Sequence, residues 1–255
     1  MDKKFEQIKY IIVDLDDTLL RRDRTISEEA KKIYKEAQEK GYKIVFNTSR
    51  SKQNSQRYID EIHPDYGIYS GGCQIVDKDG NELFAITIPA EKVNDIVFKL
   101  LKVCEKISVQ TKEHFYASDA DYKGQNAIHY DFSKGFHEEA FKVMCFSMDH
   151  DLIERLAKEN GLEFQNYLNG GWHRLSIEGA NKWNGIVHFL EVVNGTKEEC
   201  MTFGDDFGDM EMIEKAGCGV AMKNSQKEVL EIAPNITKSN DEDGVAYFIA
   251  TNLIK

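Results

Sequence analysis

The stretch that most constrains this chain is Ile11-Ile12-Val13-Asp14-Leu15-Asp16-Asp17-Thr18-Leu19. The apolar run Ile8 to Val13 reads as a strand buried within an α/β sheet. It delivers Asp14 and Asp16, and then Thr18, to its C-terminal end, where open α/β sheets bind ligands. Side chains alternate along an extended chain, so Asp14 and Asp16 share a side only while the strand stays regular; a turn is expected just after it. Carboxylates crowded into one crevice repel unless a cation offsets them. Alone, the segment reads equally well as a solvated loop or helix cap. What other strand ends bring to the same edge decides between the two.

After this strand, Ala30, Ile33, Tyr34 and Ala37 fall on one helical stripe, with Ser27 as N-cap and Gly41 past the end. Tyr42 to Phe46 follows as a second strand that empties into Asn47-Thr48-Ser49-Arg50, so the segment is a βαβ unit with a parallel pair. A helix bearing Tyr58, Ile59 and Ile62 leads to a strand at Tyr66 to Tyr69, and Asp77-Lys78-Asp79-Gly80-Asn81 then marks a hairpin. Between about 80 and 180 the pattern changes to strands at Ile107 to Val109, Phe115 to Ala117, Lys142 to Ser147, Leu162 to Leu168 and His173 to Ile177. Helices are expected from Val93 to Cys104 and from Asp149 to Asn160. Regular β/α alternation then returns: a helix through Trp183 to Leu190, a strand Met201 to Phe203 ending in Gly204-Asp205-Asp206-Phe207-Gly208-Asp209, a short strand Val220 to Met222 and a C-terminal helix from Val245. The expected fold is α/β: a doubly wound, Rossmann-like parallel-sheet core from residues 1–80 and 181–255, interrupted by an α+β domain at 81–180.

The 44 acidic residues against 33 basic give a net charge of −11, which repels nucleic acids and anionic membranes, so no partner of either kind is expected. A phosphorylated substrate needs local positive charge. No run reaches the roughly 20 apolar residues of a membrane span, and the N-terminus shows no apolar signal region, so a cytoplasmic protein is expected. Cys73, Cys104, Cys145, Cys200 and Cys218 are odd in number and lack metal-type spacing; they read as reduced core residues. A zinc site, a cysteine phosphatase, a P-loop kinase and a serine hydrolase find no motif here.

Asp14-x-Asp16-x-Thr18, Thr48, Lys182 and Gly204-Asp205-x-x-x-Asp209 resemble, in order and spacing, the four motifs of the haloacid dehalogenase-like phosphohydrolases. The insert between the second and third motifs resembles the cap of the Cof-type sugar-phosphatase branch. The chemistry also follows from the residues: phosphate monoesters hydrolyse extremely slowly, so a catalyst needs a positioned nucleophile and fixed positive charge. Asp14 is the candidate nucleophile, forming an aspartyl-phosphate, and Asp16 the candidate general acid and base. Magnesium suits hard oxygen ligands, here Asp14, Asp205, Asp209 and the backbone carbonyl of Asp16. Lys182 supplies a point charge and Thr48 a hydroxyl donor, while Ser49 and Arg50 are candidates to bind substrate. The resemblance implies the same roles. Trp172, His173 and Arg174 read either as the lining of a substrate entrance or as a packed Trp beside surface His and Arg.

Three positions depart from the Cof-type pattern: Ser49 for Gly in Thr-Gly-Arg, Gly208 for Asn before Asp209, and Gly71 for Asn before Gly72. None removes a reacting carboxylate or the lysine. The expected activity is magnesium-dependent hydrolysis of a small phosphate monoester, a sugar phosphate above all, by a monomer or homodimer. A phosphomutase on the same scaffold and a catalytically weak phosphometabolite binder are the alternatives. A receiver-type signalling domain, which also surrounds an aspartate with acidic residues, a Thr and a Lys, lacks both the insert and a need for Asp16.

Overall fold

Strand β1 (Tyr10–Val13) lies inside the principal sheet of the computed structural model, which describes residues 5–119, 127–166 and 170–254. In chain order it is followed by α1 (Glu28–Glu39), β2 (Lys43–Asn47), α2 (Lys52–Ile62), β3 (Tyr66–Tyr69), β4 (Gln74–Asp77) and β5 (Glu82–Ala85). Next come α3 (Ala90–Leu100), β6 (Lys106–Gln110), β7 (Phe115–Ala117), β8 (Ile128–His129), β9 (Lys142–Phe146), α4 (His150–Glu159), β10 (Glu163–Asn166) and β11 (Trp172–Ser176). The chain closes with α5 (Lys182–Val193), β12 (Cys200–Gly204), α6 (Met210–Lys215), β13 (Cys218–Ala221), α7 (Lys227–Ile232), β14 (Asn235–Ile236) and α8 (Gly244–Asn252). Two compact units result: Met1–Ala85 with Asn181–Lys255, and Ile86–Ala180. The chain leaves the first unit after Ala85, later than the position near 80 read from the sequence, because β5 pairs with β4.

In the first unit the sheet order is β14-β13-β12-β1-β2-β3-β4-β5. The strands from β14 to β3 are parallel, and β4 and β5 add an antiparallel hairpin at one edge. Period-two alternation explains why the central strands carry unbroken apolar runs. Ile11, Val13, Ile44, Phe46, Met201 and Phe203 pack toward α1 and α8, while Ile12, Val45 and Cys200 pack toward Ile186, Phe189 and Leu190 of α5. Each such side chain, once buried, contributes about 1.5–3 kcal/mol, and truncating Phe46 to alanine costs about 3–5 kcal/mol. Ser27 caps α1 as expected, its Oγ accepting the Ala30 N–H at 3.0 Å. From β1 the chain winds outward through β2 and β3; it returns at β12 on the other side of β1, which is doubly wound topology.

The second unit is an α+β layer with sheet order β10-β11-β9-β6-β7-β8, antiparallel except for β7 with β8. Val93, Ile96, Val97 and Leu100 of α3 and Ile153 and Ala157 of α4 cover one sheet face, against Ile107, Val109, Val143, Cys145 and Leu175. The strand read from Leu162 to Leu168 begins at Glu163 and is seen through Asn166; Leu168 lies outside the described residues. All five cysteines are free thiols, four of them buried and Cys104 partly so. Among the described residues no helix is long and apolar enough to cross a membrane.

Candidate active site

Beyond β1 the chain makes one looped turn, Leu15–Leu19, closed by hydrogen bonds from Leu19 N–H to Asp14 O (3.2 Å) and from Leu20 N–H to Leu15 O (2.8 Å). The spacing of Leu15-Asp16-Asp17-Thr18-Leu19 explains it. Leu15, Thr18 and Leu19 are buried and anchor the turn, while Asp16 is half-buried, and Asp17, in the left-handed region at φ 55°, is exposed. The turn separates Asp14 from Asp16, as expected once the strand ends. Asp14 points into the protein, 5% exposed, with Lys182 Nζ 3.1 Å from its Oδ1.

Lys182 is the first residue of α5, capped by Asn181, whose side chain accepts the Asn184 N–H at 2.8 Å. Its ammonium group donates to Asp209 Oδ1 at 2.6 Å, so one buried cation bridges the carboxylates of Asp14 and Asp209. Asp209 Oδ2 in turn accepts the backbone N–H groups of Asp205 (3.0 Å) and Asp206 (3.2 Å). These bonds hold Asp209 without any side chain at Gly208, whose own N–H is taken by Asp206 Oδ1 at 2.8 Å. Asp205, at the end of β12, accepts the Thr18 hydroxyl at 2.6 Å.

One carboxylate oxygen from each of Asp14, Asp205 and Asp209 lies within 4.8 Å of the others. Burial raises the Asp14 carboxyl well above its ordinary value, with Lys182 opposing and the neighbouring Asp209 and Asp205 adding to the rise. Burial also raises Asp209, again opposed by Lys182. Asp205 is pushed up to about 7 by burial, with Thr18 opposing and Asp209 and Asp206 contributing. Burial works against the charge of Lys182, but Asp14 and Asp209 outweigh it and the ammonium pKa is raised. Three carboxylates against one ammonium leave two negative charges when all are ionised, and every donor is a hard oxygen. The donor set therefore fits a divalent cation.

The Asp16 carboxylate lies outside that triad. Arg50 holds it in a two-point pair, Nε to Oδ2 and Nη2 to Oδ1, both at 2.7 Å, and Arg24 pairs with the same Oδ1. Of the loop after β2, Thr48 is buried and its hydroxyl accepts the Arg50 N–H at 3.2 Å, while Ser49 is exposed. The turn Ser70–Gly72 clamps this loop through Ser70 N–H to Arg50 O (2.7 Å) and Gly71 N–H to Thr48 O (3.0 Å). Gly72, at φ 93°, lies so close to α5 that a Cβ there would sit 2.1 Å from Asn181 O. A glycine is required for Lys182 to start its helix where it does.

Asp14, Lys182, Asp205 and Asp209 thus meet; Asp16 meets Arg50 and Arg24; Thr48 and Ser49 frame the loop beside them. Sequence reasoning assigned no role to Thr18, Arg24 or Asn47. Thr18 was visible as the third member of its own motif. Asn47, fully buried, donates to the Lys182 carbonyl at 3.2 Å, a contact between distant segments that carries no local signal. In the second unit, alternation along β11 puts His173 on the face opposite to Trp172 and Arg174. His173 is fully buried, its Nε2 3.0 Å from Ser147 O and its ring stacked on Phe164, so it packs inside its own unit rather than at the surface. Arg174 is also buried rather than at the surface, donating to Ala180 O at 3.0 Å, and Trp172 packs edge-on to Phe146.

A profile of the haloacid dehalogenase-like hydrolases matches residues 11–249. The chain is 28% identical to the 5-amino-6-(5-phospho-D-ribitylamino)uracil phosphatase YcsE of Bacillus subtilis over 94% of its length and 93% of that protein. It is 26% identical to YitU, a phosphatase of the same name from that organism, over 94% of this chain and 95% of the relative. Among solved structures, a haloacid dehalogenase-like hydrolase from Bacteroides thetaiotaomicron superposes with a TM-score of 0.84 at 22% identity, over 96% of this chain and 99% of the other. The subclass IIB sugar phosphatase BT4131 gives 0.80 at 21% identity, covering 97% and 100%; at these identities the likeness is one of fold.

Proposed function

This chain belongs to the haloacid dehalogenase-like hydrolases and is a phosphoric monoester hydrolase, and on that premise we propose that it is a magnesium-dependent phosphatase of small sugar phosphates working through a phosphoaspartyl intermediate on Asp14. The observation that carries the reading is the meeting of Asp14, Asp205 and Asp209 within 4.8 Å beside the Lys182 ammonium. Asp14, Asp205, Asp209 and the Asp16 carbonyl would hold the ion. When bound, magnesium neutralises charge on the transferring phosphoryl group and orients it.

The residues of the chain supply the rest. An Asp14 carboxylate oxygen attacks phosphorus while the bond from phosphorus to the leaving alcohol oxygen breaks, and Asp16 gives that oxygen its proton. Water then attacks the aspartyl-phosphate, passing a proton to Asp16; the bond between phosphorus and the Asp14 oxygen breaks and inorganic phosphate leaves. Lys182 favours the charged form of Asp14 against the effect of burial and would face the transferring oxygens, with the Thr48 hydroxyl as a further donor to them. Before the first step Asp16 must leave both Arg50 and Arg24 and take up from solvent the proton that it gives to the leaving oxygen. The inserted unit would act as a cap that excludes water and selects substrates.

The test is free phosphate released from a panel of hexose, pentose, nucleotide and cofactor monophosphates, with magnesium and with chelator. Magnesium-dependent release concentrated on sugar phosphates is the expected result. Silence across the panel would overturn it, and an isomerised sugar phosphate without free phosphate would point to a mutase.

A further inference from the structure

Three arginines occupy the short loop between the Asp16 turn and α1, and they do different things. Arg21 pairs at two points with Asp243 (3.1 and 2.6 Å), and Arg22 reaches Asp241, by its side chain at 3.4 Å and its N–H at 3.1 Å; both fasten the loop to residues 241–243. Arg24 turns the other way. It sits in the left-handed region at φ 64°, its N–H donating to Arg21 O at 2.8 Å, and its guanidinium meets Asp16. A non-glycine residue held in that region is strained, so neighbouring structure must impose it; here the result is a cation aimed at the reacting end of the molecule.

Arg50 approaches the same carboxylate from a separate loop. It is seated by Nη1 donating to Asn54 O at 3.3 Å and by the Tyr58 ring 5.3 Å beneath its guanidinium, so its fork is fixed in place. Two guanidinium groups therefore share one carboxylate, a local excess of one positive charge on a chain of net charge −11. Asp16 is also the group that must turn to the leaving alcohol. When it does, both cations lose it, and among the described residues the ion pair of Arg24 with Asp16 is its only one.

We propose that Arg24 and Arg50 form an anion subsite beside Asp16 that takes a second anionic group carried on the leaving alcohol of the substrate. The substrate class is then a sugar phosphate bearing a further phosphoryl or carboxylate group. Its second anion replaces Asp16 between the two guanidiniums as Asp16 moves to the leaving oxygen. This rests on the phosphatase reading above and narrows it. Planar forks suit both carboxylate and phosphate oxygens, so the shared chemistry is a multi-oxygen anion.

The experiment compares kcat/KM, with magnesium, for a hexose 6-phosphate, a hexose bisphosphate and a 6-phospho sugar acid, using the parent chain and Arg24→Gln, Arg24→Lys and Arg22→Gln. The expected result is a preference for one or both doubly anionic esters that falls ~10-fold or more in Arg24→Gln, recovers in part in Arg24→Lys, and holds in Arg22→Gln. The bisphosphate and the sugar acid separate the two sources of the anion. Binding of the same three compounds to Asp14→Asn by calorimetry reads the preference without turnover. Turnover or binding with no preference for a second anion overturns the inference, as does a preference lost equally in Arg22→Gln. No turnover of any monoester, with the binding preference intact, overturns the phosphatase reading alone.

Discussion

Replacing Lys182 by methionine removes one charge from a buried triangle and keeps most of the side-chain volume. The ammonium lies 2.6 Å from Asp209 and 3.1 Å from Asp14, and all three groups are nearly or fully buried. At an effective dielectric near 20, each contact is worth on the order of 5 kcal/mol of attraction, set against the cost of taking the charges from water. Breaking a buried pair by deleting one partner costs about 3–5 kcal/mol, because the surviving carboxylates must stay charged unpaired or take up protons. Near pH 8 protons are scarce and the full cost is expected. Near pH 5 both carboxylates, raised by burial, take up protons more readily than at pH 8, and the cost is expected to be smaller. The assay is urea unfolding of parent and Lys182→Met without metal at both pH values. Adding Asp209→Asn to the variant should recover part of the loss at pH 8. A Lys182→Met protein as stable as its parent at pH 8 would refute the reasoning.

A Cβ on Gly204 would sit 2.3 Å from Asp209 Cβ, so Gly204→Ala must displace that carboxylate; turnover should fall at least ~100-fold, with magnesium affinity weakened, and normal kinetics would contradict the geometry. Asp205 is pushed up to about 7, so in the metal-free protein it is protonated below that pH and must lose its proton to coordinate. Magnesium affinity measured by calorimetry should therefore fall at least about tenfold per pH unit below ~7, since Asp14 and Asp209 are raised as well; a flat profile from pH ~5.5 to ~8 would count against the assignment. Because the folded-state value lies above the ordinary 3.8, this group's contribution to metal-free stability is fully present below that value. It is lost as pH rises through ~7, and added magnesium should restore it, as thermal unfolding at pH ~5 and ~8 would show.

Much of the first unit was legible because its signals are local. Apolar runs of strand length, helices of 3.6 periodicity and the Ser27 cap place β1, α1, β2 and α5 within a few residues. Asp14, Lys182, Asp205 and Asp209 could be read as one set because doubly wound topology sends the end of each parallel strand to the same edge, whatever the loops do. What escaped depends on side-chain direction and distant partners. Nothing near Arg24 in sequence announces Asp16, and nothing near Asn47 announces the Lys182 carbonyl. The side of β11 taken by His173 is set by register with β9, Cys145 opposite His173, which no single strand reveals. The passage between units shifted to Ala85 for a similar reason, since a half-exposed strand such as β5 becomes part of a sheet only through its neighbour.

The central claim is that Asp14 carries the phosphoryl group, and trapping it is the most direct test. With magnesium present and a substrate that the chain turns over, the reaction is quenched during turnover and treated with borohydride, which reduces an acyl phosphate to an alcohol. Peptide mass spectrometry should then find homoserine at position 14 in the parent chain and none in Asp14→Asn, which should be folded and inactive. Turnover that persists in Asp14→Asn, or a phosphoryl group trapped on another residue, would contradict the account.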